Sequence, residues 1–86
     1  MNTYQLIIST PDGNVFSDEA VSISMRGAEG ELAVMAGHAP FITSVKECEI
    51  KLTLSDNKQK TAKIGGGILT VGKDKTSLLC SDFKWN

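Results

Sequence analysis

The stretch Cys48-Glu49-Ile50-Lys51-Leu52-Thr53-Leu54 alternates apolar and polar side chains without a break. A period of two puts Cys48, Ile50, Leu52 and Leu54 on one face of an extended strand and Glu49, Lys51 and Thr53 on the other, the mark of a strand buried on one side. Ser55-Asp56-Asn57-Lys58 supplies turn chemistry, and Ala62 and Ile64 resume the alternation on a return strand, so this region reads as a β-hairpin.

The same period extends in both directions. Upstream, Val21, Ile23 and Met25 alternate with Ser22 and Ser24. Tyr4, Leu6 and Ile8 form an opening strand that Ile7 makes apolar on both faces, before Thr10-Pro11-Asp12-Gly13 turns the chain. Downstream, Gly65-Gly66-Gly67 leads into Ile68-Leu69-Thr70-Val71, and Gly72-Lys73-Asp74-Lys75 turns into Thr76 to Cys80, a second hairpin. Only Glu29 to Ala39 has room for a helix. Gly27, Gly30, Gly37 and Pro40 punctuate it, so it reads as a short strand from Glu31 to Met35 feeding an ordered loop. Short strands at regular spacing predict an all-β fold, an antiparallel sandwich or small barrel.

At 86 residues the chain has room for one domain, taken as 1–86. With 41% hydrophobic and 22% charged residues it has the composition of a packed globular protein. The formal net charge of −1 argues against a nucleic-acid binder that works by phosphate neutralisation. Charge is nonetheless uneven, net −4 over residues 1–45 and +3 over residues 46–86, enough to steer a partner or simply to cluster solvent-facing lysines. No apolar run is long enough to span a bilayer and no signal peptide precedes the first strand, so the expectation is a cytosolic chain without direct membrane insertion. Cys48 and Cys80 lie far apart on apolar sides of their strands, which suits buried thiols.

The inventory for chemistry is small. His38 is the single histidine, and a catalytic set needs acid and nucleophile partners that the spacing does not supply. Glu29, Glu31 and His38, spread across glycines, make a poor cation site. Gly65-Gly66-Gly67 lacks the Lys-Ser or Lys-Thr and the helix of a phosphate loop, and reads as a place where backbones approach. Tyr4, Phe16 and Phe41 fall on buried positions, leaving Phe83 and Trp85 near an end, with Trp85 expected to pack over a sheet edge. Neither catalysis nor a cofactor is expected. From the residues alone, a free-standing β-sandwich module for a small ligand or carbohydrate stays open.

One segment is distinctive. Gly27-Ala28-Glu29-Gly30-Glu31-Leu32-Ala33-Val34-Met35-Ala36-Gly37-His38-Ala39-Pro40-Phe41-Ile42-Thr43 resembles the signature of the epsilon subunit of rotary (F-type) ATP synthases. Thr10-Pro11-Asp12-Gly13, Val15-Phe16-Ser17 and Gly66-Gly67-Ile68-Leu69-Thr70-Val71 extend the resemblance over nearly the whole chain. Ala33 stands where the family commonly has glycine, Ala36 where it commonly has proline, and Lys46-Glu47 where a Pro-Gly turn is common. The helical hairpin that the family usually appends has no counterpart in these 86 residues.

The resemblance implies a flattened antiparallel sandwich of two sheets of about five strands each. It implies a non-catalytic part of the central stalk of a proton- or sodium-translocating synthase, peripheral on the cytoplasmic face of a bacterial cell membrane. By resemblance, Glu31 and Glu29 face the polar loops of the membrane c-ring, while His38, Thr43 and Thr10 face the gamma subunit. A lasting hold on gamma requires buried apolar area, which points to a sheet face near Phe41, Ile42 and Val45, residues that the sandwich core also competes for.

Overall fold

The computed structural model describes residues 2–86. In chain order the strands are β1 (Tyr4–Thr10), β2 (Gly13–Gly27), β3 (Gly30–Met35), β4 (Phe41–Val45), β5 (Cys48–Leu54), β6 (Gln59–Ile64), β7 (Gly67–Val71), β8 (Lys75–Cys80) and β9 (Phe83–Trp85), with no helix among the described residues. The alternating stretch 48–54 forms β5 and pairs with β6 from Cys48↔Ile64 to Thr53↔Gln59, as its pattern predicts.

The long β2 organises the architecture. Fifteen residues at about 3.3 Å each would reach about 50 Å, whereas the longest dimension of the molecule is 30 Å. The strand therefore has to bend, and it serves two layers. Its first half pairs with β1 from Thr10↔Gly13 to Tyr4↔Ala20, and its second half pairs with β3 on one side and β5 on the other. A register shift between Ala20 and Ser22 marks the crossing, so Ala20 and Ile23 both reach the core while Val21 is only half-buried. Layer I is then β3-β2-β5-β6-β9 and layer II is β2-β1-β8-β7-β4, five strands each, joined again where Gly27 pairs with Val45.

One pairing departs from the antiparallel pattern. β1 lies between β2 and the β7–β8 hairpin and runs parallel to β8, from Gln5↔Lys75 to Ser9↔Leu79. Parallel neighbours need a long connection, and β1 and β8 are separated by most of the chain.

The core lies between the layers. Leu6, Ile8, Ile23, Ile50, Leu52, Leu69 and Leu78 are fully buried there, and Tyr4, Phe16, Leu32, Phe41 and Phe83 pack around them. The Tyr4 hydroxyl crosses between layers and donates to the Val34 carbonyl at 2.8 Å. Cys80 is buried and Cys48 half-buried, both as free thiols. In the triple glycine, Gly66 has a φ of 105°, and a Cβ on Gly67 would overlap the Leu79 carbonyl oxygen, so the close-approach reading holds at that point. Trp85 sits edge-on to Phe16 and Phe83 with the Lys60 ammonium 5.1 Å from its ring centre, closing the gap between β9 and the first half of β2.

Candidate functional site

The two outer faces of the sandwich differ in chemistry. On layer I the outward positions include Ser24, Lys51 and Thr61 in one row, Glu49, Lys63 and Lys84 in another, and the exposed pair Arg26 and Glu31 at 3.6 Å. That face is mostly polar and charged, with Met35 of β3 exposed on it. On layer II the outward positions include a block made of Ile42 and Ser44 of β4, Ile68 and Thr70 of β7, Ser77 and Leu79 of β8, and Ile7 and Ser9 of β1, bordered by the charged row Lys75, Gln5 and Glu19. This block carries no charge. Ile42 is 71% exposed, Ile68 50% and Leu79 52%, with Ile68 and Leu79 direct cross-strand partners.

The origin of this face is local. Each strand of layer II outside β2 carries two adjacent apolar residues, Ile7-Ile8, Phe41-Ile42, Ile68-Leu69 and Leu78-Leu79. Successive side chains of a strand point to opposite faces, so one member of each pair has to point away from the core. For Phe41, Ile42 and Val45 an outer face and the core compete, and the structure divides them: Val45 is in the core, Phe41 packs against it, and only Ile42 faces out. For Ile68 and Leu79 the sequence signal of an outward side chain is the adjacent apolar pair alone.

The acidic residues occupy the tip of the β2–β3 hairpin. Glu29 is exposed in the two-residue turn, and Glu31 is exposed at the start of β3 beside Arg26. His38 is exposed in the loop before β4, with Nδ1 2.9 Å from the Ala39 carbonyl oxygen and its ring 4.9 Å from that of Phe41. That loop lies beside the β7–β8 turn, Gly72 to Lys75. Thr43 is half-buried on β4, its hydroxyl donating to the Ser44 carbonyl at 3.2 Å. Thr10 ends β1, where its Oγ1 accepts the Asp12 amide at 3.2 Å.

These positions group in a way that spacing alone does not suggest. Glu29 and Thr43 line one open cleft of roughly 470 Å³ with Leu32, Phe41 and Ile42, while Thr10 stands three strands from β4. The uncharged face spans the interval, since the row Ser44, Ile68, Leu79, Ser9 runs from β4 to β1 just before Thr10. His38, Glu29 and Glu31 do not converge, and no group of three metal-ligating side chains is gathered among the described residues.

The family model for the "ATP synthase, Delta/Epsilon chain, beta-sandwich domain" matches residues 3–86. This chain belongs to that family. A relative from Acetobacterium woodii, the "ATP synthase epsilon chain, sodium ion specific", is 35% identical over 83 residues, covering 96% of this chain and 62% of that protein. The chain thus spans less than two thirds of this family member. Its fold also matches a chain of the Euglena gracilis mitochondrial ATP synthase at a TM-score of 0.91 and 19% identity, covering 96% of this chain and 53% of that one. A second match is to a chain in the central stalk and c-ring structure of the Tetrahymena thermophila mitochondrial ATP synthase, at 0.80 and 13% identity, covering 95% and 66%. At such identities these two establish the fold alone. No helix of the described residues is long and apolar enough to cross a membrane.

Proposed function

We propose that this chain is a non-catalytic clamp in the central stalk of a proton- or sodium-translocating ATP synthase, gripping the gamma subunit with one surface and the polar loops of the c-ring with another. It makes and breaks no covalent bond. Its binding energy ties stalk to ring, so that ion-driven rotation reaches the catalytic sites of partner subunits.

The observation that carries this reading is the uncharged block on the outer face of layer II, with Ile42, Ile68 and Leu79 exposed together, set against an opposite face rich in charged side chains. Exposed apolar side chains that share a face mark interaction surfaces, and burying them supplies lasting affinity. Thr43 on β4 and Thr10 at the end of β1 border this block along the backbone with their side chains turned to the inner side, and His38 precedes β4, which supports placing gamma along this part of the sandwich. Glu31, a solvated anion on the hairpin tip, suits basic groups of the ring loops; an exposed ion pair contributes up to about 1 kcal/mol, so it would set register rather than strength. On this reading the chain is held peripherally, at the cytoplasmic face of a bacterial membrane, through its partners.

The test is co-elution of the purified chain with the gamma subunit of the same synthase. Wild-type protein should co-elute, and the double variant Ile68→Lys, Leu79→Lys should not, while keeping its β-rich circular dichroism. Binding that survives both substitutions would sink the assignment of this face.

A further inference from the structure

Resting on the gamma-docking reading above, we propose that the contact includes main-chain pairing: an extended segment of the partner, carrying an apolar side chain and a lysine or arginine, adds as a strand along the open edge of β4. On its inner side β4 is fully laddered to β7, from Phe41↔Val71 to Val45↔Gly67. On the other side it has one paired position, Gly27↔Val45, with the Ala28 amide donating to the Ser44 carbonyl at 3.2 Å and the Lys46 amide donating to the Arg26 carbonyl at 2.9 Å. Along a strand, main-chain polar groups turn to alternate sides. The Ser44 carbonyl faces β2, so Ile42, two residues earlier, turns its N–H and C=O the same way, where no strand among the described residues pairs with them. Sheet edges of this kind are normally covered, charged or broken by proline or a bulge. Phe41 to Val45 contains neither a charged residue nor a proline, and its pairing with β7 is free of bulges.

The cleft beside this edge defines the chemistry of the occupant. Leu32 and Phe41 give it apolar walls, and Glu29 hangs over it exposed, with no ion-pair partner among the described residues. No basic residue lines it. Alternate side chains of an added strand would meet the Leu32 and Phe41 walls on one face and Ile42 on the other, and a cation on the segment would meet Glu29. Ile42 thereby belongs to both parts of the contact, its side chain to the uncharged face and its backbone to the edge.

The experiment compares affinity for the gamma subunit among the wild-type chain, Ile42→Ala and Ile42→Pro. Proline removes an N–H that has no internal partner and is tolerated at strand edges, so the fold should persist. Loss of one hydrogen bond should make Ile42→Pro bind about tenfold more weakly than Ile42→Ala. Amide exchange on the wild-type chain gives a second readout that needs no folded variant: the Ile42 N–H should exchange freely in isolation and be slowed at least about tenfold by gamma. An Ile42 amide left unprotected in the complex, or equal binding by the two folded variants, would overturn strand addition and leave face docking standing. Indifference of gamma to Ile42, Ile68 and Leu79 alike would instead overturn the docking reading, and this inference with it.

Discussion

Ile68 and Leu79 face each other across β7 and β8, each residue about half exposed, while their chain neighbours Leu69 and Leu78 face each other on the inner side and are fully buried. Two adjacent cross-strand pairs of similar composition thus serve opposite ends, one the core and one the surface. Single exposed apolar residues are ordinary in soluble proteins. Here the exposed pair continues to Ile42 through Ser44 and Thr70, with no charge between them.

The contrast sets a stability prediction. Leu78→Ala should cost about 2–5 kcal/mol, because a fully buried leucine leaves a cavity, whereas Leu79→Ala should stay within about 1 kcal/mol. Urea denaturation of the isolated chain measures both. A cost at Leu79 matching that at Leu78 would mean that the outer face is held together as part of the fold and is not free for a partner.

Tyr4 links the layers through its hydrogen bond to Val34, and Tyr4→Phe should remove about 1 kcal/mol. Burial holds the Tyr4 hydroxyl above the ordinary tyrosine value near 10, with a main-chain hydrogen bond from Ile23 pulling weakly the other way. The fold therefore favours the neutral phenol. Its contribution should be complete below pH 10 and fade as the pH climbs above 10, because the unfolded chain ionises first. Lysines titrate in the same range, so the wild-type and Tyr4→Phe curves need to be compared: the stability difference between them should shrink from pH 9 to pH 11, and a constant difference would contradict the assignment.

Charge reversal at Glu31 should separate coupling from folding. The Arg26–Glu31 pair is exposed and 3.6 Å apart, so Glu31→Lys should change stability by less than about 1 kcal/mol. On the proposed function it should nevertheless lower ion-driven ATP synthesis in membranes carrying the assembled complex. Wild-type synthesis rates at normal assembly would count against a ring-facing role for the hairpin tip.

By itself the sequence determined the local units. Strict alternation in 48–54 forced a half-buried strand, the turn residues after it closed the hairpin with β6, and the adjacent apolar pairs of β1, β4, β7 and β8 required each of those strands to show an apolar side chain on its outer surface. The signature around Glu31 and His38 marked the family. What only the tertiary structure decided was which strands share a layer: the bend of β2, the parallel placement of β1 against β8, the gathering of Ile42, Ile68 and Leu79 on one face, and the cleft that Glu29 shares with Thr43. The physical reason is range. Alternation records whether a side chain is buried, a property of neighbours two residues apart, whereas strand order and face composition depend on pairings between distant segments that bury the core only when all of them form together.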